Sequence, residues 1–194
     1  MLRLFRRDPR TVVSPDGRVT LVPLQQAHIV LIRQWLTDPD VTRLAFGTQA
    51  SGAALDQLVR DYCKEIRLGR KNSMAIEIGP NRCVGFVRYS LRNSSRGRMA
   101  RVGILIGNRI YWNSGLGSES MLALLHYLFD SGVDVVELDT ADFNQRAHRC
   151  FEKAGFLVVG EQVQLDGSGG EPCNKIWMEV TRERWIQLGS RRAR

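Results

Sequence analysis

The sequence predicts one α/β domain: a mixed, mostly antiparallel sheet of about seven strands, flanked by helices, with one parallel β-α-β crossover. Short runs of strand-forming residues alternate with longer stretches whose apolar residues recur at helical spacing. A strand, a helix and a second strand follow one another in the middle of the chain, and such a unit makes at least one parallel pair. With 194 residues, of which 43% are hydrophobic and 25% charged, the chain can bury a core without a metal or disulfide.

The N-terminal third predicts a short strand followed by two helices. Residues 18–23 read as a strand that ends at a proline. Residues 25–36 and 53–68 carry apolar residues near a 3.6-residue period, which indicates two helices. Residues 37–52 are rich in Asp, Thr and Gly, and we expect a loop there.

Three strands follow as an antiparallel meander. Residues 74–79 and 83–89 are runs of strand formers separated by Pro80 and Asn81, which predicts a β-hairpin. Residues 99–106 form the next apolar run, and a polar turn precedes them. This run therefore predicts the third strand of the meander.

The C-terminal half predicts helices and strands in alternation, and then a final hairpin. The helices show an apolar stripe or an Asn cap, and each is followed by a glycine that can end it. In order, we predict a helix at 115–130, a strand at 135–139, a helix at 144–154 and strands at 156–165 and 174–180.

These elements define one domain with short ends. Ser14-Pro15-Asp16-Gly17 is a turn signature, so we expect residues 1–17 to be a flexible arm. The domain is predicted to span residues 18–185, and residues 186–194 are expected to form a basic tail.

The charge distribution suits a polyanionic ligand such as a nucleotide or coenzyme. The formal net charge is +8, but much of the excess lies at the two ends of the chain, so no basic stripe indicates nucleic acid. No run of 18 apolar residues predicts a membrane span. Asp8 and Pro9 stand where a signal peptide needs its apolar segment, which argues against secretion by that route.

Cysteine usage favours a cytoplasmic protein without a metal. Cys63, Cys83, Cys150 and Cys173 are widely spaced and form no Cys-x-x-Cys pair. No histidine stands at zinc-ligand spacing from them. We interpret them as reduced thiols, mostly buried as small hydrophobic side chains.

The most informative segment joins the third meander strand to the following helix. Residues 107–119 contain Gly115 and Gly117 at the helix start, where small residues let backbone N–H groups approach a ligand. Free N–H groups and the helix dipole favour a phosphate at such a position. The segment is not a Walker loop, because no Gly-Lys-Ser/Thr follows. An ordinary glycine-rich connection is the alternative.

A second motif strengthens the first. Residues 144–156 read Asn-x-x-Ala and then Phe-Glu-Lys-x-Gly-Phe, directly after the next strand. Together with residues 112–118 this segment resembles the GNAT acetyltransferase superfamily, and the resemblance covers residues 18–181. It implies a domain with this element order that binds acetyl-CoA as co-substrate and needs no metal.

Within the superfamily the sequence is most similar to the branch of ribosomal-protein alanine N-acetyltransferases. The similarity lies in residues 19–24, in Trp35-Leu36 and in residues 111–119 around the glycines. Bacterial aminoglycoside, polyamine and sugar-nucleotide acetyltransferases share much of this pattern, so the acceptor stays open.

The resemblance assigns the coenzyme to three segments. The strand 101–106 is implied to face the pantetheine arm and to give an N–H to the thioester carbonyl. The loop 113–118 is implied to hold the pyrophosphate through its main-chain N–H groups. In the third segment Asn144 is implied to hydrogen-bond the pantetheine arm and Phe151 to pack near the sulfur. The candidate coenzyme-binding residues are Ile104, Leu105, Ile106, Arg109, Asn113, Ser114, Gly115, Leu116, Gly117, Ser118, Asn144 and Phe151.

Two positions depart from the family pattern. Trp112 stands where the superfamily loop has Gln or Arg, and Arg109 is the candidate to replace that contact with phosphate. Phe151 stands where the family often has a tyrosine that acts as general acid. A thiol with a pKa near ~8.5 still leaves as a thiolate, so the expected cost is in rate.

The implied reaction is direct attack of an amine on the thioester. An amine with a pKa near ~10 is mostly protonated at neutral pH, so a base or a water relay is expected. Glu77, Tyr89, Asp139 and Asp142 lie on or just after strands and are the candidates, although each can equally be a solvated or ion-paired side chain.

The sequence thus predicts a cytoplasmic N-acetyltransferase that acts on a protein N-terminal α-amine or a small-molecule amine. A non-catalytic acyl-CoA sensor on the same fold is an alternative, since Phe151 replaces the tyrosine. An acyl group other than acetyl is also open. The exposed edge of the C-terminal hairpin is compatible with a homodimer.

Overall fold

A computed structural model describes residues 11–46, 52–67, 72–80, 82–164 and 173–192. In these residues eight strands form one sheet in the spatial order β1-β2-β3-β4-β5-β6-β8-β7, with helices on both faces. The strands are β1 (Val12–Val13), β2 (Thr20–Pro23), β3 (Asn72–Glu77), β4 (Cys83–Ser94), β5 (Gly97–Ile106), β6 (Val135–Ala141), β7 (Leu157–Gln164) and β8 (Cys173–Thr181). The helices are α1 (Gln26–Trp35), α2 (Pro39–Phe46), α3 (Gly52–Arg67), α4 (Leu116–Asp130), α5 (Gln145–Ala154) and α6 (Arg182–Arg192).

The predicted fold class is confirmed. Every neighbouring strand pair is antiparallel except β5 and β6, which the α4 crossover makes parallel. That parallel pair is short, because Met99–Arg101 of β5 pairs with Val135–Glu137 of β6 and the ladder then stops. By contrast, β4 and β5 stay paired from Gly85 to Ile106.

Alternation along the central strands divides the core between the two faces of the sheet. Val87 and Val102 face α4, whose Leu124 and Leu125 are fully buried against the sheet. Phe86 belongs to the other core, beneath α1, α2 and α3. After the roles that the family resemblance implies for the helices on each side, the face of the sheet toward α1–α3 is called the acceptor face below, and the face toward α4–α6 the coenzyme face.

Residues 39–46 are helical, so the prediction of a loop over 37–52 is wrong for its first part. The carboxylate of Asp38 accepts the backbone N–H of Asp40 at 2.9 Å, and Pro39 is the first helical residue. Proline at this position and an aspartate before it favour a helix start. Residues 47–51 lie outside the described part.

The N-terminal arm is shorter than predicted. The turn at 14–17 is present, with the N–H of Gly17 donating to the carbonyl oxygen of Ser14 at 2.9 Å. Before it, Val12 and Val13 pair with β2 and begin the sheet, so the arm does not extend to residue 17. Residues 1–10 lie outside the described residues.

The C-terminal residues up to Arg192 form helix α6 where a tail was expected from residue 186. Trp185 stacks on Phe129 of α4 with ring centroids 5.5 Å apart, and the Arg182 guanidinium donates to the carbonyl oxygens of Phe129 and Val133. These contacts cap the C-terminal end of α4 and hold α6 against it. The connection predicted at 166–170 lies outside the described residues. No helix in the described part of the chain has both the length and the apolar character to cross a membrane.

Candidate active site

The end of the β5–β6 ladder opens a cleft in the middle of the sheet. Beyond Arg101 and Glu137 the two strands separate, and a cavity of about 880 Å³ lies between them. Its walls are the second halves of both strands, the loop before α4, the first turns of α5, and part of α1 and α2. The sheet topology therefore creates this cavity.

Backbone groups of β5 line one wall of this cleft. The N–H of Gly107 donates to the carbonyl oxygen of Val84 on β4, and pairing in an antiparallel ladder alternates along the strand. Val102, Ile104 and Ile106 therefore direct their N–H and C=O groups away from β4 and toward the cleft. The indole Nε1 of Trp112 donates to the Ile106 oxygen at 2.7 Å.

The loop before α4 presents backbone N–H groups to the cleft. Asn113 and Gly115 adopt positive φ values of 61° and 86°, and such left-handed residues turn successive N–H groups toward one side. Helix α4 begins at Leu116, and no side chain caps its N-terminal N–H groups. Together these features make a site for an anion at this end of the cleft.

Gly117 lies so close to α5 that a side chain there would meet Cys150. A Cβ atom built on Gly117 would be 3.3 Å from the Cys150 Sγ. Burial raises the pKa of the Cys150 thiol to about 11, so the thiol stays protonated at neutral pH. Cys150 is thus a packing residue rather than a nucleophile, in agreement with the interpretation of the cysteines as reduced, mostly buried thiols.

Two guanidinium groups lie close to the Trp112 ring at the mouth of the cleft. Arg146 of α5 lies 3.8 Å from the ring centroid, and Arg109 lies at 5.2 Å. Arg109 also forms ion pairs with Asp38 at 3.3 Å and Asp40 at 2.6 Å. Arg109, the expected substitute for a phosphate-binding side chain, is therefore already bound to α2.

Arg146 was not among the residues selected from the sequence. It is half-buried and lines the cavity, and in the described residues no carboxylate lies within ion-pair distance of it. Burial lowers the pKa of Arg146, and the nearby positive charge of Arg109 lowers it further. The sequence does not predict that Arg146 lines the site, because Trp112, the residue that it contacts, lies on a different element.

Asn144 and Phe151 place α5 at the cleft. The Asn144 side-chain oxygen accepts the N–H of Ala147 at 3.2 Å and caps the helix, which leaves its amide N–H groups as the donors for a ligand. Phe151 is buried, with its ring centroid 5.9 Å from that of Phe156.

The predicted coenzyme-binding residues divide into two groups. Arg109, Ser114 and Leu116 do not line the cavity; Leu116 is buried in the core, and the carbonyl oxygen of Ser114 accepts a hydrogen bond from Arg18 at 3.2 Å. The residues that do line it are Ile104, Leu105, Ile106, Asn113, Gly115, Gly117, Ser118, Asn144 and Phe151.

The candidate bases are also divided. Tyr89 and Asp139 line the cavity, and the Tyr89 hydroxyl donates to that of Tyr127 at 3.3 Å. Glu77 lies away from the cavity, where its carboxylate is 3.6 Å from the His28 ring.

Asp139 and Asp142 are engaged by neighbouring groups. Burial opposes ionisation of Asp139, but Lys175 at 3.3 Å and Arg101 outweigh it, so the pKa of this carboxyl lies below its ordinary value. The Asp142 carboxylate accepts the backbone N–H groups of Phe143 and Asn174, which indicates a structural role.

Three cationic side chains lie on the acceptor face of the cavity. Arg88, Arg101 and Lys175 all line it, and α1 and α2 add an apolar edge that includes Leu36 and Val41. Sequence reasoning did not select these three, because they come from β4, β5 and β8 and only the strand register brings them together. In the described residues no group of three His, Cys, Asp or Glu side chains could hold a metal ion.

Related sequences carry acetyltransferase names. The chain is 24% identical over 182 residues to an aminoglycoside N(6')-acetyltransferase type 1 of Klebsiella pneumoniae, with 89% of this chain and 87% of that protein covered. It is 34% identical over 79 residues to a kanamycin resistance protein of Rhizobium radiobacter, which covers 40% of this chain and 68% of that protein.

Solved structures of acetyltransferases share the fold. A spermidine N-acetyltransferase from Vibrio cholerae, in complex with CoA and spermine, superposes with a TM-score of 0.71 at 19% identity, covering 87% of this chain and 98% of that one. An aminoglycoside acetyltransferase in complex with coenzyme A and kanamycin gives a TM-score of 0.68 at 20% identity, with the same coverage.

Fold, cleft and related sequences together define an acetyl-CoA-dependent acetyltransferase. The sequence profile of the acetyltransferase (GNAT) domain matches residues 18–157. The chain therefore belongs to the GNAT acetyltransferase family, and acetyl-CoA is its co-substrate.

Proposed function

We propose that this protein is an N-acetyltransferase that moves the acetyl group of acetyl-CoA directly to a primary amine. The observation that carries the proposal is the cleft between β5 and β6, which has an anion site at one end and opens onto the acceptor face. A phosphate-bearing coenzyme and an acceptor can therefore meet in the middle of the sheet from opposite faces.

The residues of the cleft fit the coenzyme. The N–H groups of residues 113–118 would bind its pyrophosphate, and Arg146 would supply the positive charge that Trp112 cannot. The amide N–H groups of Asn144 would donate to the pantetheine arm. The lack of a side chain at Gly117 leaves the room that this approach needs.

The chain's own contribution to the reaction is positioning and polarisation. Acetyl-CoA supplies an activated thioester whose carbonyl carbon the amine attacks. The N–H of Ile104, directed into the cleft, is our candidate donor to the thioester carbonyl oxygen. Phe151 offers no proton to the leaving thiolate, so that group departs unprotonated or takes a proton from water.

A base is needed for the amine, and Tyr89 and Asp139 are the selected candidates that line the cavity. The lowered pKa of Asp139 makes it a weak base, and two cations already occupy its oxygens. Tyr89 is the other candidate: its hydroxyl donates to that of Tyr127, so it would take a proton from the amine only by passing its own along this contact, or through water, to solvent.

The acceptor class rests on two kinds of similarity. The names of the related proteins point to amines of small molecules, namely aminoglycosides and spermidine. The resemblance to the ribosomal-protein branch points to a protein N-terminal α-amine. All of these acceptors carry primary amines, and the widely spaced cysteines support a cytoplasmic location for the reaction.

Titration of the protein with acetyl-CoA tests the coenzyme site. We expect micromolar binding that Gly117→Glu abolishes, because the side chain would fill the space beside Cys150 and bring a negative charge to the anion site. Gly160→Glu is the matched control, since a Cβ at Gly160 meets no atom within 4 Å and lies on the distant strand β7. Absent binding by the unaltered protein would refute the proposal.

A turnover assay separates an enzyme from a sensor. The replacement of a tyrosine by Phe151 favours the sensor as the alternative, since it removes a proton donor. Release of free thiol in the presence of a broad panel of primary amines supports the enzyme. Intact acetyl-CoA binding without thiol release over the whole panel supports the sensor.

A further inference from the structure

We propose that this protein transfers an acetyl group to its own Lys175, so that the cleft contains a modification site. The inference rests on the proposed function, because that function supplies the bound thioester. It starts from the position of Lys175 on the wall of the cavity.

Lys175 places a primary amine on the acceptor face of the cavity. It lies on β8, lines the cavity, and leaves 32% of its side chain exposed. Its neighbour Ile176 packs on the core that faces α4, so alternation along the strand directs Lys175 to the opposite face. The amine therefore lies where the proposed function puts the acceptor.

The other lysines are placed differently. The chain has four lysines, at positions 64, 71, 153 and 175. Lys64 lies exposed on α3 and does not line the cavity, and Lys71 lies outside the described residues. Lys153 lines the cavity from α5, the helix that contacts Gly117 of the anion site. Among the described residues, Lys175 is therefore the one lysine on the acceptor face of the cleft.

The strand register brings the Lys175 amine to the level of the reacting group. The β5–β6 ladder ends where Arg101 pairs with Glu137. Two residues further along each strand, Gly103 and Asp139 both line the cavity, and the Lys175 Nζ lies 3.3 Å from the Asp139 carboxylate. The residue after Gly103 carries the N–H proposed to polarise the thioester. The register therefore places the amine and the thioester carbonyl at one level of the cleft, across its opening.

Asp139 holds two cations that differ in their freedom to move. Its Oδ1 pairs with Arg101 and its Oδ2 with Lys175. Arg101 also lies on the Trp177 ring at 4.6 Å, so two contacts hold its planar group. Lys175 has a compact ammonium on a flexible stem, which can change partners at a lower cost. We therefore expect Lys175, and not Arg101, to turn toward bound acetyl-CoA.

The reaction is the proposed acetyl transfer, with the acceptor supplied by the chain itself. The Nζ lone pair forms a bond to the carbonyl carbon of the thioester, the carbon–sulfur bond breaks, and coenzyme A leaves as a thiolate. The nitrogen loses one proton before the attack and a second as the amide forms. Both pass to water, from which the thiolate takes one back. The N-acetyl-lysine product carries no positive charge, so the ion pair with Asp139 is lost.

Incubation of the purified chain with acetyl-CoA and no added amine tests the inference. Mass spectrometry of the intact chain and of its peptides locates the acetyl groups, and thiol release measures how many form. We expect one acetyl group per chain, on Lys175, at a rate about tenfold or more above that at Lys64. An acetyl group already on Lys175 in the purified protein is the same result if Gly117→Glu lacks it.

Two pairs of variants locate the reaction in the cleft. Lys175→Arg keeps a positive charge beside Asp139 and removes the reacting amine, so the modification should disappear and thiol release should fall about tenfold or more. Lys64→Arg is the matched control and should change neither. Gly117→Glu blocks the coenzyme site and should abolish the modification, whereas Gly160→Glu should not. Excess free coenzyme A should suppress the modification in the unaltered protein.

Dilution of the protein distinguishes a reaction within one chain from a reaction between two. Transfer within one chain keeps its first-order rate constant at every protein concentration when acetyl-CoA is saturating. A rate constant that falls with dilution shows transfer between molecules and overturns the inference.

Failure of the proposed function is a separate result, because it shows as lost acetyl-CoA binding in the titration. With that binding intact, three results overturn the inference: no acetyl group on Lys175, equal rates at Lys175 and Lys64, or modification that survives in Gly117→Glu or in excess coenzyme A. Acetylation of Lys175 that depends on the coenzyme site and not on protein concentration supports it.

Discussion

At the scale of single residues, Trp112 and Arg146 show how a positive charge that is missing from a loop can be supplied by a neighbouring helix. Trp112 takes the loop position where the family carries Gln or Arg, and Arg146 of α5 lies on its ring. The aromatic face orients the guanidinium and keeps it at the mouth of the cleft. Arg109, nearer in sequence, is instead held by Asp38, which precedes α2, and by Asp40 within it.

This arrangement predicts a phosphate-specific effect of Arg146→Ala. Loss of a charge-assisted contact should raise the dissociation constant for acetyl-CoA by about tenfold. Binding of S-acetylpantetheine, which lacks the pyrophosphate, should change less than twofold. Arg146→Lys should fall between, because it keeps the charge and loses the planar stack.

Titration of each variant with both ligands measures the effect. The control is Arg92→Ala, which removes an arginine outside the cavity. Equal weakening for acetyl-CoA and S-acetylpantetheine would show that Arg146 acts on the structure of the cleft instead of on phosphate.

At the scale of elements, α2 and α6 are helices that the sequence pattern does not reveal. The apolar pattern of residues 39–46 is short, and the helix depends on the Asp38 carboxylate and on the ion pairs of Arg109. Arg43 lies 4.3 Å from the ring of Phe143, which follows β6. Helix α2 thus contacts residues that follow both strands of the cleft, and these contacts form only after the sheet is assembled.

The contacts of helix α6 predict that Trp185 contributes more to the stability of the fold than its exposed neighbour. Trp185 contacts both Phe129 and His126 of α4, so Trp185→Ala should lower the free energy of unfolding by about 2 kcal/mol. The next residue, Ile186, is 60% exposed, and Ile186→Ala should cost less than about 0.5 kcal/mol. Urea denaturation of both variants compares them. Equal losses would mean that α6 does not dock through Trp185.

At the scale of the whole molecule, ion pairs between separate elements connect stability to pH. Burial opposes ionisation of Asp38 and Asp139, but backbone donors and cationic neighbours outweigh it, and the pKa of each lies below its ordinary value. The hydrogen bond from Arg96 lowers the pKa of Glu179 in the same direction. These three carboxylates connect α2, β6 and β8 to the rest of the fold.

The pH dependence follows from the sign of these shifts. In the unfolded chain an aspartate has a pKa of about 3.9, so on acidification the unfolded state binds protons first. The free energy of unfolding should therefore be steady above about pH 5 and fall as the pH drops through about 4. Asp139→Asn should be less stable than the parent at pH 7, and its stability should fall less steeply with acid.

Urea denaturation between pH 7 and 3.5 measures both chains. If the free energy of unfolding falls equally with acid in the parent and in Asp139→Asn, the pKa of Asp139 is not lowered by folding. Repeating the series at high salt is the control, because screening should reduce the contribution of the exposed pairs more than that of Asp139.

The sequence anticipates the sheet and most of the elements for a physical reason. Strand alternation and helical periodicity are local, and burial on one face enforces them. The loop at 113–118 and the motif at 144–156 are also continuous, so the coenzyme side of the site is visible in the sequence. The acceptor side is not, because Arg88 and Lys175 meet only through the register of β4, β5, β6 and β8.

The short parallel ladder at Met99–Arg101 is the one stretch where β5 and β6 are paired, and it forms the closed end of the cleft. At its closed end a Cβ on Gly97 would meet the Asp134 carboxylate at 2.3 Å, and that carboxylate accepts the N–H of Arg98 at 2.8 Å. Because the two strands are paired only at this end, we expect a change there to alter their separation along the cleft. We therefore expect a substitution at a position far from any reacting atom, such as Gly97, to change how closely donor and acceptor approach.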